Sequence, residues 1–190
     1  MKTLKLLIAV MLTVAFVPSA FAKSSKLGLY LTMDDYLKHK LSYIADGTTN
    51  TKIQLQNMFS GKNVVVVQDG KRQLFSKNEI FGYRADDQDF RFFNNMPYRI
   101  LDTSGFFIYA HIKLMQQGKG PKPVEQFYFS AKPDAEIKPL TMDNLQAVFS
   151  KDTRFLYAVE GFFRSDNELT VYDPDLKVYK LKYLFAQTAK

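Results

Sequence analysis

The chain contains no cysteine, so neither a disulfide framework nor thiol catalysis is open to it. Histidine is almost as scarce. His39 and His111 fall in separate segments, and without thiolates they cannot assemble a zinc site of the usual N and S ligands at any recognisable spacing. Glutamate is confined to Glu79, Glu125, Glu136, Glu160 and Glu168, with no pairing that points to glycoside cleavage. There is no Gly-x-Ser-x-Gly elbow, and Gly118-Lys119-Gly120-Pro121 lacks the following helix that a phosphate-cradling loop needs. Asp86, Asp87 and Asp89 crowd one segment, but neither the bend glycine nor the closing glutamate of a calcium loop follows in register. The sequence therefore names no catalytic group, no cofactor and no metal, and it leans away from an enzyme.

Long apolar runs are also missing. The longest, Leu6 to Val17, is broken only by Thr13 and falls short of the roughly 20 residues of a spanning helix. It follows Lys2 and Lys5, stops at Pro18 and precedes Ala20-Phe21-Ala22, the small-x-small pattern that signal peptidase reads. Residues 1–22 are thus expected to be a signal peptide and residues 23–190 a single domain, periplasmic or secreted, with no transmembrane segment after cleavage. With no cysteine after the apolar run, a lipidated anchor at the cleavage site is excluded. Cleavage would remove Lys2 and Lys5 from a formal net charge of +7. The remaining basic residues are spread along the chain, which suits solubility rather than nucleic-acid binding.

What the chain has is aromatic bulk. Its 17 Phe and 11 Tyr supply the area for a core that needs no covalent staples. Thr32 with Asp35 forms an acidic capping pair for a short helix opening the segment from Leu27 to Tyr43. Ile53 to Phe59 reads as a strand. Val64 to Val67 is a β-branched run buried on both faces, and Asp69-Gly70 supplies a type I′ turn into a partner strand, Lys71 to Phe75. Ile80–Arg84, Phe90–Phe93, Tyr98–Leu101 and Phe106–Ile112 then follow as short strands between polar turns, which makes an antiparallel meander. Gly118 to Pro123 reads as a loop before a strand from Glu125 to Ala131. Helical spacing takes over at Met142, Leu145, Val148 and Phe149 behind Thr141, and again at Phe155, Leu156, Val159, Phe162 and Phe163 behind Asp152. Ser165 with Glu168 matches a capping box, and Leu176 to Ala186 leans towards helix. The expected fold is α+β, an antiparallel β-meander sheet followed by C-terminal helices packed on it.

Strand alternation offers one positive hint of function. Phe106, Ile108, Ala110 and Ile112 share one face of their strand, read as a core face, while Phe107, Tyr109, His111 and Lys113 share the other. Arg91 likewise points away from Phe90 and Phe92. Arg91, Tyr109 and His111 are therefore the candidate ligand-binding residues, suited to a sugar ring or an acidic group, unless the C-terminal helices cover that face. Gly82, between Phe81 and Tyr83, marks a bulge or a close backbone approach.

The pattern Glu79-Ile80-Phe81-Gly82-Tyr83-Arg84, Phe90-Arg91-Phe92, Tyr98-Arg99-Ile100-Leu101 and Phe107-Ile108-Tyr109 resembles a group of small exported proteins of Gram-negative bacteria. Gly28-Leu29-Tyr30-Leu31-Thr32 and Phe163-Arg164-Ser165-Asp166-Asn167-Glu168-Leu169 extend the resemblance over most of the chain beyond residue 22. It implies export and a shared fold and brings no activity with it. The functional expectation is a non-enzymatic binding or envelope-associated domain with an envelope protein or a glycan as partner. The alternatives are an envelope hydrolase or glycan-processing enzyme whose site is built from distant residues, and a carrier of a lipophilic ligand.

Overall fold

The computed structural model describes residues 26–56, 61–118 and 120–188. The segment expected to be a signal peptide, residues 1–22, and the end of the strand expected over Ile53 to Phe59 lie outside the described residues. Among them no helix is long and apolar enough to cross a membrane.

Antiparallel sheet dominates. The meander runs through β6 (Gly82–Ala85), β7 (Gln88–Phe93), β8 (Met96–Asp102), β9 (Phe107–Gln117) and β10 (Gly120–Ser130), each strand paired with the next. Next to β6 the sheet continues through β1 (Leu27–Tyr30) and β2 (Tyr43–Ala45), and beyond β10 it ends at β11 (Lys138–Pro139), which makes eight strands. A separate three-stranded sheet is formed by β3 (Thr51–Gln54), β4 (Asn63–Gln68) and β5 (Lys71–Ser76). Three connections share one turn chemistry. Asp69-Gly70, Asp86-Asp87 and Asn94-Asn95 all have both central residues at positive φ, as a type I′ turn demands.

The short helix α1 (Met33–Leu37) opens as the sequence predicts: Asp35 N–H donates to the Thr32 hydroxyl at 3.0 Å, and Thr32 N–H donates to the Asp35 carboxylate at 3.1 Å. The segment before it is strand, not helix, because Leu27 to Tyr30 pairs with β6 far along the chain. A second correction concerns Gly118 to Pro123. Gly120 onwards belongs to β10, and Pro121 and Pro123 stand opposite Gln116 and Leu114 in the ladder. Proline is tolerated there because its missing N–H falls on the side away from β9.

Past the sheet come α2 (Met142–Val148), capped by Thr141 as expected, and α3 (Thr153–Phe162), where Asp152 makes no side-chain cap. The turn Asp166–Thr170 is a 3₁₀ helix whose box is displaced: Glu168 accepts from Arg164 N–H at 2.7 Å, and Ser165 caps nothing with its side chain. A small hairpin, β12 (Tyr172–Asp173) with β13 (Val178–Tyr179), leads into α4 (Lys180–Thr188). The helix expected in this region is present, but it starts four residues after Leu176.

Alternation divides the main sheet into two faces. Leu29, Tyr83, Phe90, Phe92, Arg99, Ile108, Ala110 and Phe129 share the first through their pairings. At one end of it, Leu29, Tyr83 and Phe92 form a cluster with Val64 and Val66 of the small sheet. At the other, Phe106, Ile108 and Phe129 join Leu145, Phe149, Phe155, Val159 and Leu181 of the helices. The second face carries Tyr30, Arg91, Tyr98, Tyr109 and Tyr128, and Tyr36 of α1 with Phe81 and Ile137 closes over it.

Candidate functional site

Arg91, Tyr109 and His111 do share the second face, but the first two are buried and committed to each other. Arg91 is 6% exposed. Its guanidinium donates to the Tyr109 hydroxyl at 3.1 Å, to Ser130 Oγ at 3.4 Å and to the carbonyl of Ala135 at 2.8 Å. Its plane also lies over the rings of Phe93 and Tyr109. Burial raises the Tyr109 pKa, and the charge of Arg91 opposes that rise. His111 is half-buried, with Nδ1 2.8 Å from the carbonyl of Pro97 and its ring against Tyr98. Arg91 does line an open hollow of 510 Å³ with Phe81, Phe93 and Pro133. What covers this face is α1 with Phe81 and the segment around Ile137, whereas the C-terminal helices cluster with residues of the opposite face.

Further along the second face, Asp89 anchors a polar network. Arg84 Nε and Nη2 each donate to its carboxylate at 2.8 Å, and the buried Tyr30 hydroxyl donates to it at 3.0 Å. Asp86 and Asp87 are turn residues, and among the described residues no group of three or more acidic, histidine or cysteine side chains is placed to hold a metal. Gly82 is a close approach of the β6 backbone to β7: a β-carbon there would overlap the carbonyl oxygen of Phe90.

A second concave surface lies on the first face, where a groove of 460 Å³ runs over Phe90, Pro97, Ala110 and Ile112 and is bordered by Gln88, Arg99, His111 and Glu125. Phe90 packs towards the small-sheet cluster, and Phe127, opposite Ala110, packs towards the helical one, so the groove occupies the stretch between them. Its charged groups answer each other, Arg99 Nη2 donating to Glu125 at 2.7 Å. Ile112 at its rim is 63% exposed.

No family model, no curated protein and no solved structure matches this chain.

Sequence reasoning placed Ala110 and Ile112 on an interior face and so passed over the groove. The available signal was Gly118 to Pro123: read as a continuation of the hairpin, it extends β9 and β10 past every neighbouring strand and leaves Ile112 and Leu114 without cover.

Proposed function

We propose that this chain is an exported, non-enzymatic binding domain of the bacterial envelope, periplasmic or released, that meets its partner through the groove over Phe90, Pro97, Ala110 and Ile112. The observation that carries the reading is the groove's chemistry. Its floor is apolar, its charged pair is closed, Arg99 on Glu125, and His111 Nδ1 is held at the Pro97 carbonyl. Such a surface offers contact area and shape rather than a nucleophile or a free base. In this reading the C-terminal helices pack on the sheet through Leu145, Phe149 and Phe155. Export is supported by the positive start, the short apolar run and Ala20-Phe21-Ala22.

The test is site-specific photo-crosslinking in intact cells, with the reactive side chain at Ile112 or, as control, at the exposed Leu74 of the small sheet. The expected result is a discrete adduct from Ile112 and not from Leu74 with a molecule other than this chain, whether or not a second copy is also captured, on a protein whose mass lacks residues 1–22. Equal labelling at both positions, or none at either, would sink the groove as the binding surface. An N-terminus that begins at residue 1 would sink export.

A further inference from the structure

The outer half of the β9–β10 hairpin is a two-stranded arm with unequal edges. On the β8 side, pairing with β9 stops at Ala110, and among the described residues no strand pairs with β9 beyond it on that side. On the other side, β11 pairs with β10 only at Tyr128 and Phe129. The β10 edge of the arm is protected. Pro121 and Pro123 stand where an outward N–H would otherwise be offered, which is how sheets block unwanted strand addition.

The β9 edge has no such protection. In an antiparallel ladder, pairs with inward and outward backbone groups alternate. A pair containing proline cannot be an inward, hydrogen-bonded one, so Leu114 and Gln116, opposite Pro123 and Pro121, turn their N–H and C=O groups outward. Leu114 is 73% exposed, and Met115 is exposed beside it.

From this asymmetry we infer that the β9 edge of the arm pairs antiparallel with the β9 edge of a second copy of the chain, about a two-fold axis at Met115. That register sets Leu114 against Gln116 of the partner subunit with both outward groups used, and Met115 against its own symmetry mate. It also sets Lys113 against a glutamine, Gln117, rather than against its own mate. Lys113 is already drawn over the Tyr128 ring of its own chain, so no like charges face each other. The two Leu114 side chains fall on one face at diagonal positions, within reach of each other. A bilayer is the poorer occupant, because it would leave the same outward backbone groups unsatisfied. Only a few residues of each copy take part, less than a standard stable interface, so the dimer is weak and concentration-dependent. The inference rests on the strand edge and not on the groove's ligand.

The absence of cysteine makes the test direct. In Met115→Cys the single thiol faces its mate across a close, non-hydrogen-bonded pair, a separation that a disulfide spans. Mild oxidation should therefore give a covalent dimer much faster than it does for Leu176→Cys, a cysteine at another exposed position. Sedimentation of the wild-type chain over low to high micromolar concentrations should show a monomer–dimer equilibrium. Leu114→Pro removes only an outward N–H, so it should keep the wild-type circular dichroism and melting temperature while weakening the dimer roughly tenfold or more. A wild-type chain that stays monomeric throughout, or Met115→Cys that crosslinks no faster than Leu176→Cys, overturns the proposal and leaves the edge to another chain. A Leu114→Pro variant that folds and still dimerises overturns it equally.

Discussion

The guanidinium of Arg91 and the hydroxyl of Tyr109 lie 3.1 Å apart on the second face of the sheet, both buried, one from β7 and the other from β9. Ser130 Oγ lies 2.9 Å from the same hydroxyl, and the Ala135 carbonyl accepts from the other arm of the guanidinium. The cation thus ties β7, β9, β10 and the segment after β10 together at one point. Arg91→Met keeps much of the apolar stem and removes every donor. It should cost about 2–3 kcal/mol, since hydrogen bonds to a charged group are lost and the Ala135 carbonyl is left without its donor. Urea unfolding measures this, and a loss below about 0.5 kcal/mol would mean that water replaces the guanidinium without penalty.

Gly82 gives a sharper steric prediction. A β-carbon there would overlap the Phe90 carbonyl oxygen, which is backbone in a paired strand and cannot swing aside. Gly82→Ala must therefore push β6 away from β7 and disturb the bond from Phe92 N–H to the Phe81 carbonyl, 2.8 Å long. We expect a loss of about 3 kcal/mol by thermal or urea unfolding. A variant as stable as wild type would show that the two strands can part freely.

These two residues also show what a sequence can carry. Gly82 was legible as a close approach because a glycine between aromatic residues of a strand gives up packing area that only a crowded backbone repays. Arg91 was legible only as pointing away from Phe90 and Phe92; that Ser130 and Ala135 close over it depends on a segment some 40 residues later. The same limit applies to turns. Asp69-Gly70 announces its positive φ through glycine, whereas Asp86-Asp87 and Asn94-Asn95 adopt the same conformation with residues that equally suit any polar turn. Pro121 and Pro123 misled in the opposite direction, since proline breaks a central strand but fits an edge. Helix positions in the C-terminal third followed their apolar spacing closely. Their caps did so only in part: Thr141 caps α2, but Asp152 makes no side-chain cap and Glu168 found the backbone of Arg164 instead of that of Ser165.

Two tyrosines should limit alkaline stability. Burial pushes Tyr30 up to about 12, and its bond to Asp89 and the charge there add to the effect. Burial is also the main reason that Tyr36 is pushed up to about 12. In the unfolded chain a tyrosine ionises near 10, so above that pH the unfolded state sheds protons that the folded state keeps. Their contribution is intact below about pH 10 and disappears as the pH rises towards 12. Phenolate absorbance should show late-titrating buried tyrosines, Tyr30 and Tyr36 among them, coincident with unfolding. In Tyr30→Phe/Tyr36→Phe the alkaline decline should be shallower, although losing the Tyr30 bond costs about 1 kcal/mol at neutral pH. An unchanged decline would assign the limit to other groups.

Lys182 works in the opposite direction and in a separate window. It is 2% exposed on α4, with Nζ donating to the carbonyls of Ser104 and Phe106 and lying 3.8 Å from the centre of the Phe106 ring. Burial lowers its pKa from 10.5 to about 8, and the carboxylate of Asp102, 3.7 Å away, only partly offsets this. Between those values the unfolded chain holds a proton that the folded chain has released. Stability therefore rises with pH across that window, and the gain is gone once the pH has dropped through 8. Burial also lowers the pKa of Lys77, so that side chain adds a climb of its own in the same direction. The expected observation is a urea midpoint that climbs from pH 8 to 10 in the wild type and climbs less steeply over the same range in Lys182→Met, whatever the offset between the two at pH 7. A parallel climb in both proteins would show that Lys182 stays charged when folded, with its two carbonyls and Asp102 offsetting the whole cost of burial.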